Sequence, residues 1–437
     1  MATLAPHIPA VPGSGIRRIY EIAAELDGIV SLGVGEPDVP VAPHIAAAAR
    51  AAWERDDTDY SPNGGILPLR RALVDKLARD NDVHVSVEQV WVTIGGTQAL
   101  NLAMHLILAA GDEVLVPDPG YTTFTMNARM LDAVPVPYPL SPERGFTPDI
   151  AELERMVTPR TRLLIVNSPS NPLGAVFGRE VLAELLAFAQ RHDLWVLSDE
   201  VYERFTWGEP HVSIASLDTD DRVFTVHSFS KTYAMTGIRV GSLVTPPGLA
   251  ATMRTMQEAT IGCVGMPAQY AALAALEGDQ SHVAAAGAHY RANFEVAATE
   301  LEARGIRYLR PNGAFYLWAD VSHATDGDVA GWAERFLLQE RVAIAPGSAF
   351  GRTGEGWIRL CLAVDEHALV TGIRRLPPGP GAIRGADAAG PEIAGSDSAG
   401  ADAAGPDVAA SEAAGAVAPL DAGVTPSVRA AGDASVA

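Results

Sequence analysis

The chain has 437 residues, of which 48% are apolar, and a formal net charge of −21. This length allows a large core and more than one domain, and the negative charge argues against non-specific binding to nucleic acid or to anionic membranes. Two cysteines are too few for a disulfide framework, and neither a secretory signal nor a bilayer-spanning apolar run is visible, so we predict a cytoplasmic protein.

The first fifteen positions, "MATLAPHIPAVPGSG", carry Pro6, Pro9 and Pro12 and predict an extended arm. From about residue 16 to residue 376, apolar strand-like runs alternate with helical stretches. The strand-like runs are 90–94, 112–118, 162–168, 194–200 and 222–228, and two clear helical stretches are 98–110 and 179–192. This alternation predicts an α/β fold with a largely parallel sheet that is covered on both faces.

The composition changes at about Pro377, after which Ala, Gly, Pro, Asp and Ser dominate. Residues 377–437 contain eight acidic and two basic residues, and no large apolar residues recur at a helical or strand period. Such a segment buries too little surface to offset its conformational entropy, so we predict a disordered acidic tail. A solubilising extension and a docking segment are both compatible with it.

Ligands of α/β sheets bind beyond the carboxyl ends of the strands, so the residues that follow each strand-like run are candidates for a site. Gly95, Gly96 and Thr97 follow the first run where a helix begins, and helix N-terminal amides suit a phosphate. A plain turn with a helix cap would have the same sequence. Tyr121 follows the second run and could stack on a planar ring, or it could simply be a packed tyrosine.

The third and fourth runs end in polar residues. Asn171 lies in the rigid loop "NSPSNPLG" and could donate a hydrogen bond to a ligand oxygen, although a structural Asx turn is also possible. Asp199 follows four apolar residues, and a buried carboxylate needs a partner, such as a protonated ring nitrogen, unless it caps a helix. Tyr202, three residues further on, could reach a neighbouring ring oxygen.

The fifth run leads into "SFSKTYAMTGIRVG", residues 228–241. Ser228 and Arg239 could bind a phosphate, and nearby cations and distance from water would lower the pKa of Lys231 and favour its nucleophilic form. The five strand ends together describe a ligand with a phosphate, an aromatic ring, a ring oxygen, a protonatable ring nitrogen and a carbonyl that accepts a lysine. We therefore predict pyridoxal 5'-phosphate as the cofactor, and no metal ion.

These motifs resemble those of the class I/II aminotransferases, the aspartate-aminotransferase-like branch of fold type I, over about residues 17–376. The matching segments are "DYSPNGGILPLRRAL", "VNSPSNPLG", "SDEVYERF", "SFSKTYAMTGIRVG", "PNGAFYLWAD" and "PGSAFGRTGEGWIRLCLA". The resemblance implies a large, mostly parallel PLP-binding domain at 43–285 and a smaller α+β domain at 286–376. Residues 1–42 would form an N-terminal arm and part of the small domain.

The resemblance also implies catalytic roles. Lys231 would form the Schiff base and shuttle the proton, and Asp199 would keep the pyridine nitrogen protonated. Asn171 and Tyr202 would contact the ring oxygen. The predicted catalytic residues are thus Lys231, Asp199 and Tyr202. Tyr121 would stack on the ring. In this family the Asn171–Pro172 peptide bond is often cis.

Further residues would bind the phosphate and the substrate. The phosphate ligands within one subunit would be Gly96, Thr97, Ser228 and Arg239. Tyr60 would reach the phosphate of the other subunit's cofactor, which implies a homodimer. Arg359 would clamp the substrate α-carboxylate, and Gly35 and Asn171 would line the substrate pocket.

The function implied is PLP-dependent transfer of the amino group of an L-amino acid to a 2-oxo acid. We expect a broad or an acidic or aromatic donor, with 2-oxoglutarate as the acceptor. A lyase, cyclase or specialised biosynthetic enzyme on the same scaffold is the alternative. A non-catalytic effector domain of a transcription regulator fits poorly, because the N-terminal segment is too short for a DNA-binding domain and the tail is acidic.

Overall fold

A seven-stranded sheet forms the centre of the computed structural model, which describes residues 3–380. The strands along the described chain are β1 (Val30–Ser31), β2 (Val90–Thr93), β3 (Glu113–Asp118), β4 (Val134–Pro139), β5 (Thr161–Asn167), β6 (Trp195–Asp199), β7 (Val223–Ser228), β8 (Gly241–Val244), β9 (Tyr308–Leu309), β10 (Tyr316–Asp320), β11 (Val342–Ala343), β12 (Ala345–Pro346) and β13 (Trp357–Cys361). The central sheet has the order β2-β8-β7-β6-β5-β3-β4. All its neighbouring pairs are parallel except those of β8 with β2 and β7.

Helices connect the strands and cover the sheet. They are α1 (Gly15–Ala24), α2 (Pro43–Glu54), α3 (Leu67–Asn81), α4 (Gly95–Ile107), α5 (Thr123–Met130), α6 (Ile150–Met156), α7 (Arg179–Arg191), α8 (Phe229–Thr232), α9 (Ala250–Thr260), α10 (Met266–Glu277), α11 (Ser281–Ala303), α12 (Ser322–Thr325), α13 (Val329–Glu340) and α14 (Glu366–Arg375). None of the helices within residues 3–380 is long and apolar enough to cross a membrane. The first fifteen residues include a short 3-10 helix, Ile8–Ala10, and α1 begins at Gly15.

The central strands are mostly apolar because both faces of the sheet are buried. Along β5, Leu163 and Ile165 pack into the cluster on one face, and Leu164 and Val166 pack into the cluster on the other. Side chains of a strand alternate between faces, so a strand covered on both sides needs apolar residues at successive positions. The predicted α/β fold with a mostly parallel sheet is confirmed.

The sequence analysis did not find two strands of the central sheet. β4, "VPVPYP", contains Pro135, Pro137 and Pro139 and lies at the sheet edge, where a missing backbone N–H costs little. β8 is a four-residue strand that runs antiparallel to β7. Proline and shortness hide such strands from pattern reading.

A second, four-stranded antiparallel sheet has the order β12-β13-β10-β9. A separate parallel pair joins β1 to β11, so the N-terminal segment pairs with a segment more than 300 residues later. The predicted division into domains stays a prediction. Of the predicted acidic tail, 377–437, residues 381–437 lie outside the described residues.

Candidate active site

The carboxyl ends of the central strands converge on one cavity of about 370 Å³. Eleven of the twelve predicted site residues line it, namely Gly35, Gly96, Thr97, Tyr121, Asn171, Asp199, Tyr202, Ser228, Lys231, Arg239 and Arg359. The register of the sheet explains this convergence, because Asn167 on β5 pairs with Asp199 on β6, which pairs with Val226 on β7. The chain segments that follow these strands therefore leave the sheet at one edge.

One side of the cavity is built to hold an anion. Helix α4 starts directly after β2, so its first amides, at Gly95 and Gly96, bring the positive end of the helix to the cavity. Gly95 has φ +70°, and a Cβ there would lie 2.6 Å from Nη2 of Arg239. Ser228, at the end of β7, lies next to Gly96, because a Cβ on Gly96 would be 3.6 Å from Cβ of Ser228. Arg239 donates a hydrogen bond from Nη1 to the carbonyl of Thr236, at 2.7 Å. Amides, a hydroxyl and a guanidinium are together suited to a phosphate.

Asp199 is a buried carboxylate that forms no ion pair within residues 3–380. Its side chain accepts one hydrogen bond within the described residues, from the amide of Val201 at 3.3 Å. Burial raises the pKa of Asp199 to about 7, with the charge of Glu200 adding to the rise and that of Lys231 opposing it. A protonated ring nitrogen placed beside this carboxylate would supply the missing charge.

Lys231 follows β7 in the short helix α8. Its Nζ donates a hydrogen bond to the carbonyl of Gly35, at 2.6 Å. Burial, together with the nearby charge of Arg359, lowers the pKa of Lys231 to about 8. The fraction of neutral, nucleophilic amine near pH 7 is therefore far larger than for a surface lysine.

Arg359 and two tyrosines form the opposite wall. The guanidinium of Arg359 donates to Oδ1 of Asn171 at 2.9 Å and to the carbonyl of Gly33 at 2.6 Å, and it lies 4.3 Å from the ring centre of Tyr316. Its buried Nε has no partner within the described residues. The hydroxyls of Tyr202 and Tyr316 share a hydrogen bond of 2.7 Å.

The Asn171–Pro172 peptide bond is cis, as the resemblance implies. Burial, together with the neighbouring hydroxyl of Tyr316, raises the pKa of Tyr202 well above its ordinary value, so Tyr202 remains a protonated donor. Asn171 and Tyr202 therefore present polar side chains to the same cavity.

Tyr60 is the one predicted site residue that does not line the cavity. It is 95% exposed and lies in the segment between α2 and α3. The structure describes a single chain, so Tyr60 has no ligand-facing position in it.

Sequence reasoning gave no role to several residues that line the cavity. They are Ile16, Leu100, Val201, Ser230, Thr236 and Tyr316. Ser230 is the second serine of the quoted "SFSK", and Tyr316 lies in the quoted "PNGAFYLWAD", so both carried a signal. Ile16 carried none, because α1 joins the site only through tertiary packing.

These residues fit pyridoxal 5'-phosphate. The cavity offers an anion site at a helix N-terminus, a buried carboxylate without a cationic partner, and an amine with a lowered pKa. It also has an arginine with a free buried nitrogen for a carboxylate. This set is the one that PLP-dependent enzymes require.

Comparison with known proteins defines the family. Residues 27–376 match the family model described as aminotransferase class I and II. The chain is 36% identical over 378 residues to aromatic-amino-acid aminotransferase 2 of Thermococcus litoralis, covering 85% of this chain and 97% of the relative. It is 35% identical to an aspartate aminotransferase of Pyrococcus abyssi, with the same coverage of both chains. The solved aspartate aminotransferase of Thermus thermophilus with maleate superposes with a TM-score of 0.82 at 35% identity, covering 86% of this chain and 99% of that one.

The chain therefore belongs to the class I and II aminotransferases. It is a PLP-dependent aminotransferase, which confirms the predicted family, cofactor and reaction class.

Proposed function

We propose that this enzyme takes the amino group from L-amino acids with aromatic or apolar side chains and gives it to 2-oxoglutarate. The observation that carries the donor class is the charge of the cavity wall. Its cationic side chains are Lys231, Arg239 and Arg359, and each has a proposed partner in the cofactor or the substrate α-carboxylate. Ile16 and Leu100 add apolar surface. Among the lining residues, no further Lys or Arg remains for a side-chain carboxylate.

The proposed acceptor has a second carboxylate, for which a cation from another subunit would be needed. The related Thermus thermophilus enzyme was solved with maleate, a dicarboxylate, and other relatives are named aspartate or aromatic aminotransferases. These names support an enzyme that accepts both a dicarboxylate and an aromatic substrate. Because transfer to 2-oxoglutarate yields glutamate, glutamate must also bind and act as a donor in the reverse direction. The acidic amino acid that the proposed donor class disfavours is therefore aspartate, whose side chain is one methylene shorter.

The residues of the cavity have two kinds of proposed role: most would bind the cofactor or the substrate, and Lys231 would also transfer a proton. When bound, pyridoxal phosphate supplies an aldehyde carbon that takes up the amine and a ring that withdraws electrons. Gly96, Thr97, Ser228 and Arg239 would hold its phosphate. Asp199 would hold a proton on the ring nitrogen, and Asn171 and Tyr202 would donate hydrogen bonds to the ring oxygen.

Lys231 would hold the cofactor covalently and, once displaced by substrate, move the substrate α-proton. Its lowered pKa suits both tasks, because a neutral amine is needed to bond and to accept a proton. Arg359 would fix the α-carboxylate through its fork, and Tyr316 beneath the guanidinium restricts its position. Tyr121 would stack on the cofactor ring.

The donor class is tested by single-turnover absorbance of the loaded enzyme, mixed with one amino acid at a time and no oxo acid. We expect phenylalanine and tyrosine to convert the cofactor to its amine form with kcat/KM about tenfold above that of aspartate, since the side-chain carboxylate of aspartate would lose water without meeting a cation of the cavity wall. An aspartate value above both aromatic values would contradict the donor class. Release of ammonia or of a leaving group, with no amine form, would instead favour lyase chemistry.

The enzyme is also proposed to be a homodimer in which Tyr60 serves the partner's site. The support is the exposure of apolar residues beside the proposed phosphate ligands. Ile94 directly precedes α4, Ile238 directly precedes Arg239, and both are exposed, as is Tyr60 itself. Exposed apolar groups next to a binding site are typical of a surface that another protein covers.

Replacing Tyr60 by phenylalanine is expected to weaken cofactor binding by about tenfold or more, because a hydrogen bond to a charged phosphate is lost. Cofactor titration of the apoenzyme measures this, and light scattering measures the dimer. Tyr20→Phe, at another exposed tyrosine on α1, is the control and should bind normally. A monomer with full activity would contradict the assignment.

A cytoplasmic location is proposed on the state of the cysteines. Cys263 and Cys361 are both free thiols, which is typical of proteins in a reducing compartment. Cys361 is buried and Cys263 is half-buried. Fractionation of the native cells would test the location.

A further inference from the structure

The chain contains two lysines and thirty arginines. Lys231 is in the active site, and Lys76 is buried on α3. Nζ of Lys76 donates to Oδ1 of Asn81 at 2.8 Å and also to Oε1 of Glu203, 127 positions later. An ammonium is a compact charge that fits where a planar guanidinium does not. One of the two lysines, Lys231, lies where the proposed chemistry needs an amine. The other, Lys76, is buried outside the active-site cavity, and its role is considered next.

Lys76 belongs to a set of five charged or titratable residues behind the active site. Three of them are buried, and Glu203 and His211 are half-buried with side chains at most 10% exposed. We call Lys76, Glu200, Glu203, His211 and His227 the anchor cluster. Oε1 of Glu200 accepts hydrogen bonds from two serine hydroxyls, each at 2.9 Å, and its Oε2 lies 3.1 Å from Nε2 of His211. Oε2 of Glu203 accepts from Nδ2 of Asn81 at 2.6 Å.

Both carboxylates of the anchor cluster are held in the ionised form. Burial alone would raise the pKa of Glu203, but the charges of Lys76 and His227 hold it well below its ordinary value. His211 does the same for Glu200. Nδ1 of His227 lies 3.4 Å from Oε1 of Glu203. Glu200, Glu203 and His227 lie close enough together to bind a metal ion, but the Lys76 ammonium already balances the charge of the Glu203 carboxylate.

The anchor cluster shares its chain segments with the active site. Residues 200–204 form a turn directly after β6. Asp199, the last residue of β6, and Tyr202 in the turn line the cavity, while Glu200 and Glu203 belong to the cluster. Two adjacent residues at the end of β7 also face different surroundings: Ser228 lines the cavity, and His227 belongs to the anchor cluster. Backbone bonds to the turn include Glu203 N to Glu200 O and Glu200 N to Val226 O, both 3.0 Å.

The strand ladder holds the chain as far as Asp199, and the turn that follows has only a few backbone hydrogen bonds, so side-chain contacts contribute more to its position. We propose that Glu203 and Lys76 are positioning residues, whose buried ion pair fixes the 200–204 turn and thereby places Tyr202 against the cofactor and holds the end of β6 that carries Asp199. The proposal rests on the roles proposed above for Asp199 and Tyr202. Stability alone explains the pair poorly, because a buried ion pair is seldom more stabilising than apolar residues of similar volume.

The test compares the PLP-loaded Glu203→Gln enzyme with the Asp80→Asn enzyme. Asp80 lies on α3, as Lys76 does, and pairs with Arg204 of the same turn at 2.9 Å, but on the solvent side. Both variants replace a carboxylate by an amide in an ion pair between α3 and the turn. The readouts are the visible circular dichroism of the bound cofactor, kcat and KM for one amino acid, and the melting temperature.

We expect Glu203→Gln to lower the cofactor's circular dichroism at least twofold and kcat by about 10- to 100-fold, since small misplacements of catalytic groups have effects of this size. KM for the amino acid should change by less than about threefold, because Arg359 is untouched. Asp80→Asn should match the wild type in all three. Wild-type dichroism and kcat in Glu203→Gln, or an equal loss in Asp80→Asn, would overturn the proposal.

Glu203→Gln also leaves the Lys76 ammonium buried without its carboxylate, which by itself could unfold the protein. The double variant Lys76→Met/Glu203→Gln removes both charges and is expected to regain the melting temperature but not the dichroism or kcat. Recovery of all three would overturn the proposal. Failure of the proposed role of Asp199 would appear instead in Asp199→Asn, as a single-turnover rate like that of the wild type, and would remove this proposal with it.

Discussion

Lys231→Ala is expected to reduce turnover by about 10⁴-fold or more, the largest effect of any single substitution in the chain. Two proposed contributions of Lys231 would be lost together, the covalent bond to the cofactor and the base that moves the α-proton, and a positioned base alone is worth about 10²- to 10⁴-fold. Steady-state turnover of the preferred amino acid measures the loss. The absorption band of the bound cofactor should shift at the same time, because no lysine bonds to it.

Lys231→Arg separates the chemistry of the amine from its charge. Arginine keeps the cation in the cavity but offers no neutral nucleophile near neutral pH. We expect it to be as inactive as the alanine variant. Activity retained by Lys231→Arg would mean that Lys231 acts as a fixed charge, and the proposed covalent role would be wrong.

Borohydride reduction gives a direct check on the same residue. The chain has one other lysine, Lys76, and that amine is buried against Glu203. Reduction of the loaded wild-type enzyme should therefore attach the cofactor to the peptide that contains Lys231, and mass spectrometry would locate it. Attachment elsewhere would contradict the assignment.

The pH dependence of cofactor capture has a sign that follows from the pKa of Lys231. Burial lowers it from the ordinary 10.5 to about 8, so the amine is mostly protonated and unreactive below pH 8 and mostly neutral above it. The capture rate of the apoenzyme should rise with pH and level off just above pH 8. A rate that keeps rising to pH 10 would indicate an unperturbed lysine.

The sequence predicted those parts of the fold and site that depend on local pattern. Strands β2, β3, β5, β6 and β7 could be found because burial on both faces makes them continuous apolar runs, and the polar residue at the end of each run marked the cavity. These residues are far apart in the chain but meet in one cavity, because the carboxyl ends of parallel strands lie at the same edge of the sheet. Prediction therefore worked where each site residue lies close in sequence to a strand that the local pattern reveals.

Prediction failed where tertiary packing brings distant residues together. Tyr316 reaches Tyr202 across 114 positions, and Lys76 reaches Glu203 across 127. No local period or spacing encodes such pairs. Tyr60 shows the same limit in another form, because its proposed ligand belongs to a different subunit, and one chain cannot show it.

Asp199→Asn is expected to lower kcat by about 10³-fold, which corresponds to about 4 kcal/mol of transition-state stabilisation. An amide is neutral, so it cannot balance a proton on the ring nitrogen, and the ring then withdraws electrons less well. Single-turnover absorbance with the preferred amino acid measures the chemical step directly. A variant that retains more than a tenth of the wild-type rate would exclude this role.

Asp118→Asn is the matched control. Asp118 is also a buried aspartate at the end of a central strand, but it accepts hydrogen bonds from Thr353 and the amide of Arg352 and does not line the cavity. Its substitution should lower the melting temperature and leave the single-turnover rate unchanged. A loss of rate in both variants would point to damage of the sheet edge, not to loss of a catalytic charge.

Stability should move in the opposite direction from activity when Asp199 is replaced. Burial raises the pKa of this carboxyl to about 7 in the folded protein, whereas it is near 3.8 when unfolded. The folded apoenzyme therefore loses stability as pH rises from about 4 to 7, and the loss is complete above pH 7. Asparagine, which resembles the protonated carboxyl, should raise the melting temperature of the apoenzyme at pH 8, with a gain that shrinks toward pH 4. A carboxylate that destabilises the empty fold and is essential to the loaded enzyme is what a site built around a cationic ring requires, because the cofactor supplies the charge that the protein alone lacks.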